Sequence, residues 1–130
     1  GVLSNMLYVP GELFSVNPVT VNHIKGVFSK NERIIVLFNT NVGMIAMVLV
    51  GAMIVSSINT SWGFNTSYDD VRFTSYNSMD YFFHKGKEVG YFNVGSTVIL
   101  LLKQNVVNML DSIKVDSNIR MGSKIAKIVN

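Results

Sequence analysis

Polar residues divide this chain into short apolar runs rather than into helical stripes. Val2-Leu3 and Met6–Val9 form a first strand, closed by the turn signal Pro10-Gly11. Leu13–Val16 reads as a short strand that ends at Asn17-Pro18, and Thr20 is placed to cap a brief helical turn through Ile24. Asn31-Glu32 is the next break, Arg33–Phe38 the next strand, and Asn39–Asn41 a hairpin-type turn. Asn59–Asn77 is polar and irregular and reads as a long surface excursion. Tyr81–Phe83 reads as a strand, Lys85–Lys87 as its turn, and Tyr91–Leu102 as the longest apolar strand. Asn105–Ile119 has room for one more short strand, and the last ten residues read as poorly ordered.

From Ile34 to Tyr68 there is no charged side chain. Within that stretch Val42–Ile58 is 17 residues long, at the short end of what a membrane helix requires. Gly43, Gly51, the pair Ser56-Ser57 and the heavy Val/Ile/Met content argue instead for two strands, 44–50 and 52–58, buried on both faces. The sum is many short strands with Gly, Asn and Pro turns and little helix. That pattern predicts a mainly β fold, an antiparallel sandwich or partly closed barrel, as a single domain over 1–130.

Composition sharpens the picture in three places. Charged residues make up only 15% of the chain, against about 25% in an ordinary soluble domain. The low charge implies large buried surfaces, a missing partner segment or membrane proximity. There is no cysteine, which excludes disulfides and thiolate metal sites, and Asp69-Asp70 without further ligands reads as surface, so no metal is expected. The net charge of +3 lies wholly in the stretch 103–130, a basic tail read as partly disordered. Residue 1 is Gly, no signal peptide is visible in the sequence, and it opens at once on an apolar strand. Gly1 is therefore expected to be an internal position of a longer protein.

The candidate chemistry is concentrated at Gly95-Ser96-Thr97, inside the longest apolar run. Glycine weakens a strand interior and marks a bulge or a close backbone approach. Here it directly precedes a hydroxyl nucleophile, the arrangement a serine needs to attack the carbonyl of its preceding residue. Such an attack converts the peptide to an ester, and β-elimination then cuts the chain and leaves a dehydroalanine that hydrolyses to a pyruvoyl group. Gly95 tolerates the strained backbone this demands, and Thr97 is a candidate oxyanion donor. Taken alone, the triplet is weak evidence and reads first as an ordinary strand bulge.

Four blocks of the sequence extend this reading. They are Val9-Pro10-Gly11-Glu12-Leu13-Phe14-Ser15-Val16-Asn17; Asn31-Glu32-Arg33; Val50-Gly51-Ala52 with Ser57-Ile58; and Lys85-Gly86, Glu88, Gly90, Phe92 with Gly95-Ser96-Thr97-Val98-Ile99. In order and content they resemble the pyruvoyl-dependent phosphatidylserine decarboxylases of bacterial type, over roughly residues 1–102. The resemblance implies a lyase that makes phosphatidylethanolamine and CO₂. Ser96 would be the self-cleavage nucleophile and pyruvoyl precursor, and Gly95–Ser96 the scissile bond. The covalent pyruvate would form a Schiff base with the substrate amine and act as electron sink.

It also implies a protein peripheral to the cytoplasmic face of a bacterial inner membrane. Pieces 1–95 and 96–130 would stay associated, a homodimer is admitted, and no nucleic acid is involved. The family activates its serine with a histidine and an aspartate upstream of this stretch. Neither segment is in the sequence, and His23 and His84 do not fall at the family's catalytic position. The expectation is a C-terminal portion that carries the cofactor-forming serine but not its base, inactive alone. Two alternatives stand beside it. One is a non-catalytic barrel-sandwich domain of the biotinyl or lipoyl kind displaying Lys85 or Lys87, although the Met-Lys-Met signature is absent. The other is a β domain anchored in a membrane through Val42–Ile58.

Overall fold

The alternation of apolar and polar residues builds the central strands. The computed structural model describes residues 1–53, 58–64, 66, 69–77, 80–94 and 96–129. Strand β1 (Val2–Val9) pairs antiparallel with β2 (Arg33–Thr40), and β2 with β3 (Gly43–Val50). On β2 the even positions Ile34, Val36 and Phe38 are buried. On β1 the buried residues are Leu3, Met6 and Tyr8, which breaks the two-residue period. A register shift between Leu3 and Asn5 accounts for it. The extra residue lets Leu3 face Phe38 while Met6 faces Val36 and Tyr8 faces Ile34. Ser4, at the shift, donates its hydroxyl to the Leu37 carbonyl at 3.0 Å.

Two short helices lie between β1 and β2: α1 (Pro18–His23) and α2 (Val27–Lys30). Asn17 rather than Thr20 caps α1, accepting the Thr20 amide at 2.9 Å, because Pro18 takes the first helical position. Leu13–Val16 is not a strand. Its backbone bonds go to a side chain instead: Asn31 accepts from the Phe14 amide and donates to the Phe14 carbonyl.

The expected helix-free course of Val42–Met53 is what the structure has, and among the described residues no helix is long and apolar enough to cross a membrane. The expected burial on both faces of 44–50 is not found. Only Leu49 and Val50 of β3 are buried and Met44 is exposed, since nothing among the described residues covers the far face there. Of the second expected strand, residues 54–57 lie outside the described residues; Ile58 opens β4 (Ile58–Thr60) and Met53 is exposed at a turn.

The irregular stretch 59–77 contains β5 (Arg72–Ser75), which pairs with β1. Tyr81–Phe83 forms only an isolated bridge, Phe82 to Val2. The run 91–102 divides into β6 (Gly90–Phe92), paired with β4, and β7 (Thr97–Leu102), paired with β3. The chain thus passes from one sheet to another between Asn93 and Ser96. The result is a five-stranded sheet in the order β5-β1-β2-β3-β7, with β4–β6 as a second layer whose Ile58 and Phe92 pack on the same core as Met6, Ile34 and Val36. Every described ladder is antiparallel. The basic tail, read as partly disordered, carries a third sheet, the antiparallel pair β8 (Val107–Met109) and β9 (Ala126–Ile128).

Candidate active site around Ser96

The sheet crossing places Ser96 at the entrance to β7, beside Thr97, which pairs with Val50 of β3. Ser96 and Thr97 are half-buried and line an open cleft of about 400 Å³. Val94 contributes from the same stretch. Two further stretches line the same cleft, Ser15–Asn17 and Ala52-Met53. Three of the four sequence blocks that carried the resemblance therefore meet around one serine. Gly95 lies outside the described residues, as does Ser57.

The Ser96 hydroxyl donates to the Val94 carbonyl at 3.1 Å. A backbone carbonyl accepts a hydrogen bond but is too weak a base to take the proton, so this bond orients the hydroxyl without activating it. None of the described residues lining the cleft is charged, and none is a histidine. His84 is at the other end of the sheet. It shares a groove with Thr40 and Ile45, whereas the cleft begins past Val50, and strand geometry makes Ile45 to Val50 roughly 17 Å. Its ring stacks edge-on against Phe82 at 4.7 Å. His23, exposed in the last turn of α1, has Nδ1 2.7 Å from the Val19 carbonyl. The two histidines of the sequence are not brought to Ser96.

Behind the cleft, the walls are interlocked. A Cβ on Gly11 would stand 2.3 Å from the Lys30 carbonyl oxygen, so only glycine admits this approach. It lets Glu12 form an isolated parallel bridge with Asn31, with the Glu12 amide donating to Lys30 at 2.9 Å and the Glu32 amide to Glu12 at 2.8 Å. The Gly51 amide donates to the Glu32 carbonyl at 2.8 Å. The Glu32 carboxylate is buried: Oε2 accepts the Tyr8 hydroxyl at 3.0 Å, and Oε1 has no hydrogen-bond partner among the described residues. Burial, then the bond and charge of Glu32, push the Tyr8 hydroxyl up to about 12. Sequence reasoning passed over Asn31, Glu32 and Tyr8 as chemistry; a polar pair opening an apolar strand was the available signal.

The other polar residues singled out by the sequence are dispersed. Lys85, Lys87 and Glu88 are exposed on the turn, with the Lys87 ammonium 5.1 Å from the centre of the Phe83 ring. Asp70 pairs with Arg72 at 3.0 Å. Among the described residues no group of three or more His, Asp or Glu could hold a metal ion.

Comparison with known proteins points to one family. The family model for phosphatidylserine decarboxylase matches residues 1–127. The chain is 41% identical to a phosphatidylserine decarboxylase proenzyme of Saccharophagus degradans over 98% of its length and 46% of that protein. It is 40% identical to one of Psychromonas ingrahamii, over 99% and 46% of the two chains. A third, from Shewanella pealeana, is 42% identical over 98% and 47%. The chain thus spans just under half the length of these relatives. With the family model matched over nearly its whole length, the chain belongs to the phosphatidylserine decarboxylase family.

Proposed function

We propose that this chain is the self-processing part of a phosphatidylserine decarboxylase, split between Gly95 and Ser96 to create a pyruvoyl group at residue 96. The observation that carries the reading is the position of Ser96: at a strand entrance, on an open cleft lined also by two interlocked stretches. The chemistry is written on the chain's own atoms. Ser96 Oγ bonds to the Gly95 carbonyl carbon, the Gly95–Ser96 C–N bond breaks, and the freed amine takes up a proton. Loss of the Ser96 α-proton then breaks the Oγ–Cβ bond and releases Gly95 as a carboxylate. Water replaces ammonia on the remaining dehydroalanine and leaves the ketone. Thr97, also on the cleft, is proposed to donate to the oxyanion of the first step.

The lining of the cleft fits such a group. Its described residues are uncharged and partly apolar, and the cleft is open, so among them no fixed amine stands to neutralise a ketone there. When formed, the group supplies an electron sink for loss of CO₂ from an amino acid bound through its amine. The base for Ser96 is proposed to come from outside residues 1–130, in keeping with the absence of histidine or charge on the described cleft lining. Scission leaves β7 in the later piece and β3 in the earlier one, joined by six cross-strand pairs from Ile45–Leu102 to Val50–Thr97. That ladder supports continued association of the two pieces. The substrate is proposed to be phosphatidylserine, met at the cytoplasmic face of the inner membrane by a peripherally bound enzyme.

The test is to incubate the complete proenzyme with phosphatidylserine vesicles and measure CO₂ release, with and without a hydrazide. Release that the hydrazide abolishes, with the hydrazide recovered on residue 96, is the expected result. Release insensitive to it would refute the pyruvoyl reading.

A further inference from the structure

The residue that joins the two walls of the cleft is not on the cleft. Asn31 is fully buried between α2 and β2. Its carboxamide makes three hydrogen bonds. Nδ2 donates to the Phe14 carbonyl at 2.7 Å and to the Gly51 carbonyl at 2.9 Å, and Oδ1 accepts from the Phe14 amide at 3.1 Å. Phe14 immediately precedes Ser15–Asn17, and Gly51 immediately precedes Ala52-Met53. Those are the stretches that line the cleft with Ser96. Ser15 and Val16 belong to no strand, and beyond the backbone bonds at Glu12 and Gly51 the one side chain that ties both stretches together is Asn31 among the described residues. Only a carboxamide has two donors and an acceptor at this reach; a carboxylate of the same shape has acceptors alone.

We infer that Asn31 is a positioning residue for self-cleavage at Ser96, setting the separation of the two walls and with it the space in which Ser96 Oγ reaches the Gly95 carbonyl. The inference rests on the reading under Proposed function. Reactions that depend on near-attack geometry lose about 100-fold for a displacement near 1 Å. The step affected is the first, in which the Oγ–C bond forms and the peptide C–N bond breaks.

The experiment follows processing in the complete proenzyme, in wild type, Asn31→Asp, Gly51→Ala and Val36→Ala. Asn31→Asp keeps the shape but sets acceptors against two carbonyl oxygens. Gly51→Ala keeps the amide but adds a Cβ 3.3 Å from the Glu32 carbonyl oxygen and 3.4 Å from its Oε1, pressing one wall outward. Val36→Ala truncates the core without touching either wall, and serves as a control for lost stability. The wild type splitting at Gly95–Ser96 tests the functional reading first; a wild type that splits elsewhere or not at all overturns that reading and this inference together. With wild type split, Asn31→Asp should process roughly 10- to 100-fold more slowly, below its unfolding temperature, and Val36→Ala within about twofold at a similar loss of melting temperature. Hydroxylamine, which cuts the ester selectively, should release less fragment from folded Asn31→Asp than from wild type. If Asn31→Asp does not fold, Gly51→Ala decides by the same two readouts. Wild-type processing in the decisive variant, slowing no greater than that of Val36→Ala, or an unchanged ester fraction overturns the inference.

Discussion

Around Gly11, Asn31 and Gly51, three stretches far apart in sequence are joined by six hydrogen bonds of 2.7–3.1 Å. Around Ser96, among the described residues, the side-chain hydroxyl makes one local bond, to Val94, and the strand that follows lies at the edge of the sheet with β3 as its one ladder partner. The contrast extends to burial: Val36 at the sheet centre is 0% exposed, Leu101 on β7 is 56%. A wall must hold its place through a reaction, and the interlocked corner does so. A scissile peptide has the opposite requirement. Cut inside a central ladder, it would tear bonds from both neighbours; at a crossing between sheets, the ladders on either side can survive.

The largest effect should come from removing the nucleophile. Ser96→Ala in the complete proenzyme should abolish both chain scission and decarboxylation, because alanine has no oxygen to form the ester; a denaturing gel and a CO₂ assay check it. Next comes removal of the base. Residues 1–130 expressed alone should split at least about 10²- to 10⁴-fold more slowly than the complete proenzyme, the usual worth of general-base help, as followed by mass over days.

The interlocked corner should respond next, and through stability. Gly11→Ala forces a Cβ into the Lys30 carbonyl, a clash with backbone that cannot rotate away. Overpacking of this kind costs about 1–3 kcal/mol, read from denaturant unfolding.

A loss of similar size should follow Tyr8→Phe, which removes the hydrogen bond to buried Glu32. Stranding a buried carboxylate oxygen costs about 1–3 kcal/mol at neutral pH. The same pair has a pH signature. Folding raises the Tyr8 hydroxyl from the ordinary tyrosine value of 10.0 to about 12, so its contribution is fully present below pH 10 and lost as pH rises from there through about 12. In Tyr8→Phe that alkaline decline should flatten. The smallest effect belongs to the histidines. His84→Ala and His23→Ala should leave processing within about twofold of wild type, since neither lines the cleft; slowed scission in either would mean that a base lies within this chain.

The central strands were legible in the sequence because burial on one face imposes a period of two on β2, and the turn residues around them are Pro-Gly and Asn-rich. The division of 91–102 was not. An apolar run carries no mark of where one partner strand is exchanged for another, and Asn93 was the sole polar hint before the Gly-Ser-Thr triplet. Leu13–Val16 misled for a related reason: its alternation suits a strand, but Asn31 supplies its hydrogen bonds. β9 was invisible because three residues pairing with three leave too short a pattern. At the candidate site, Gly95-Ser96-Thr97 stood out in the sequence through the residues around it. The part of Asn31 was not, since a side chain that bonds only backbone leaves no partner in the sequence to match.

The intact mass of the complete protein, purified from cells, tests the central claim most directly. Two pieces that travel together under native conditions should separate on denaturation. One should end at Gly95, and the other should begin at residue 96 with a blocked terminus that carries a ketone in place of the serine amine and hydroxyl. A single uncut chain, or two pieces with serine intact at the new terminus, would contradict it.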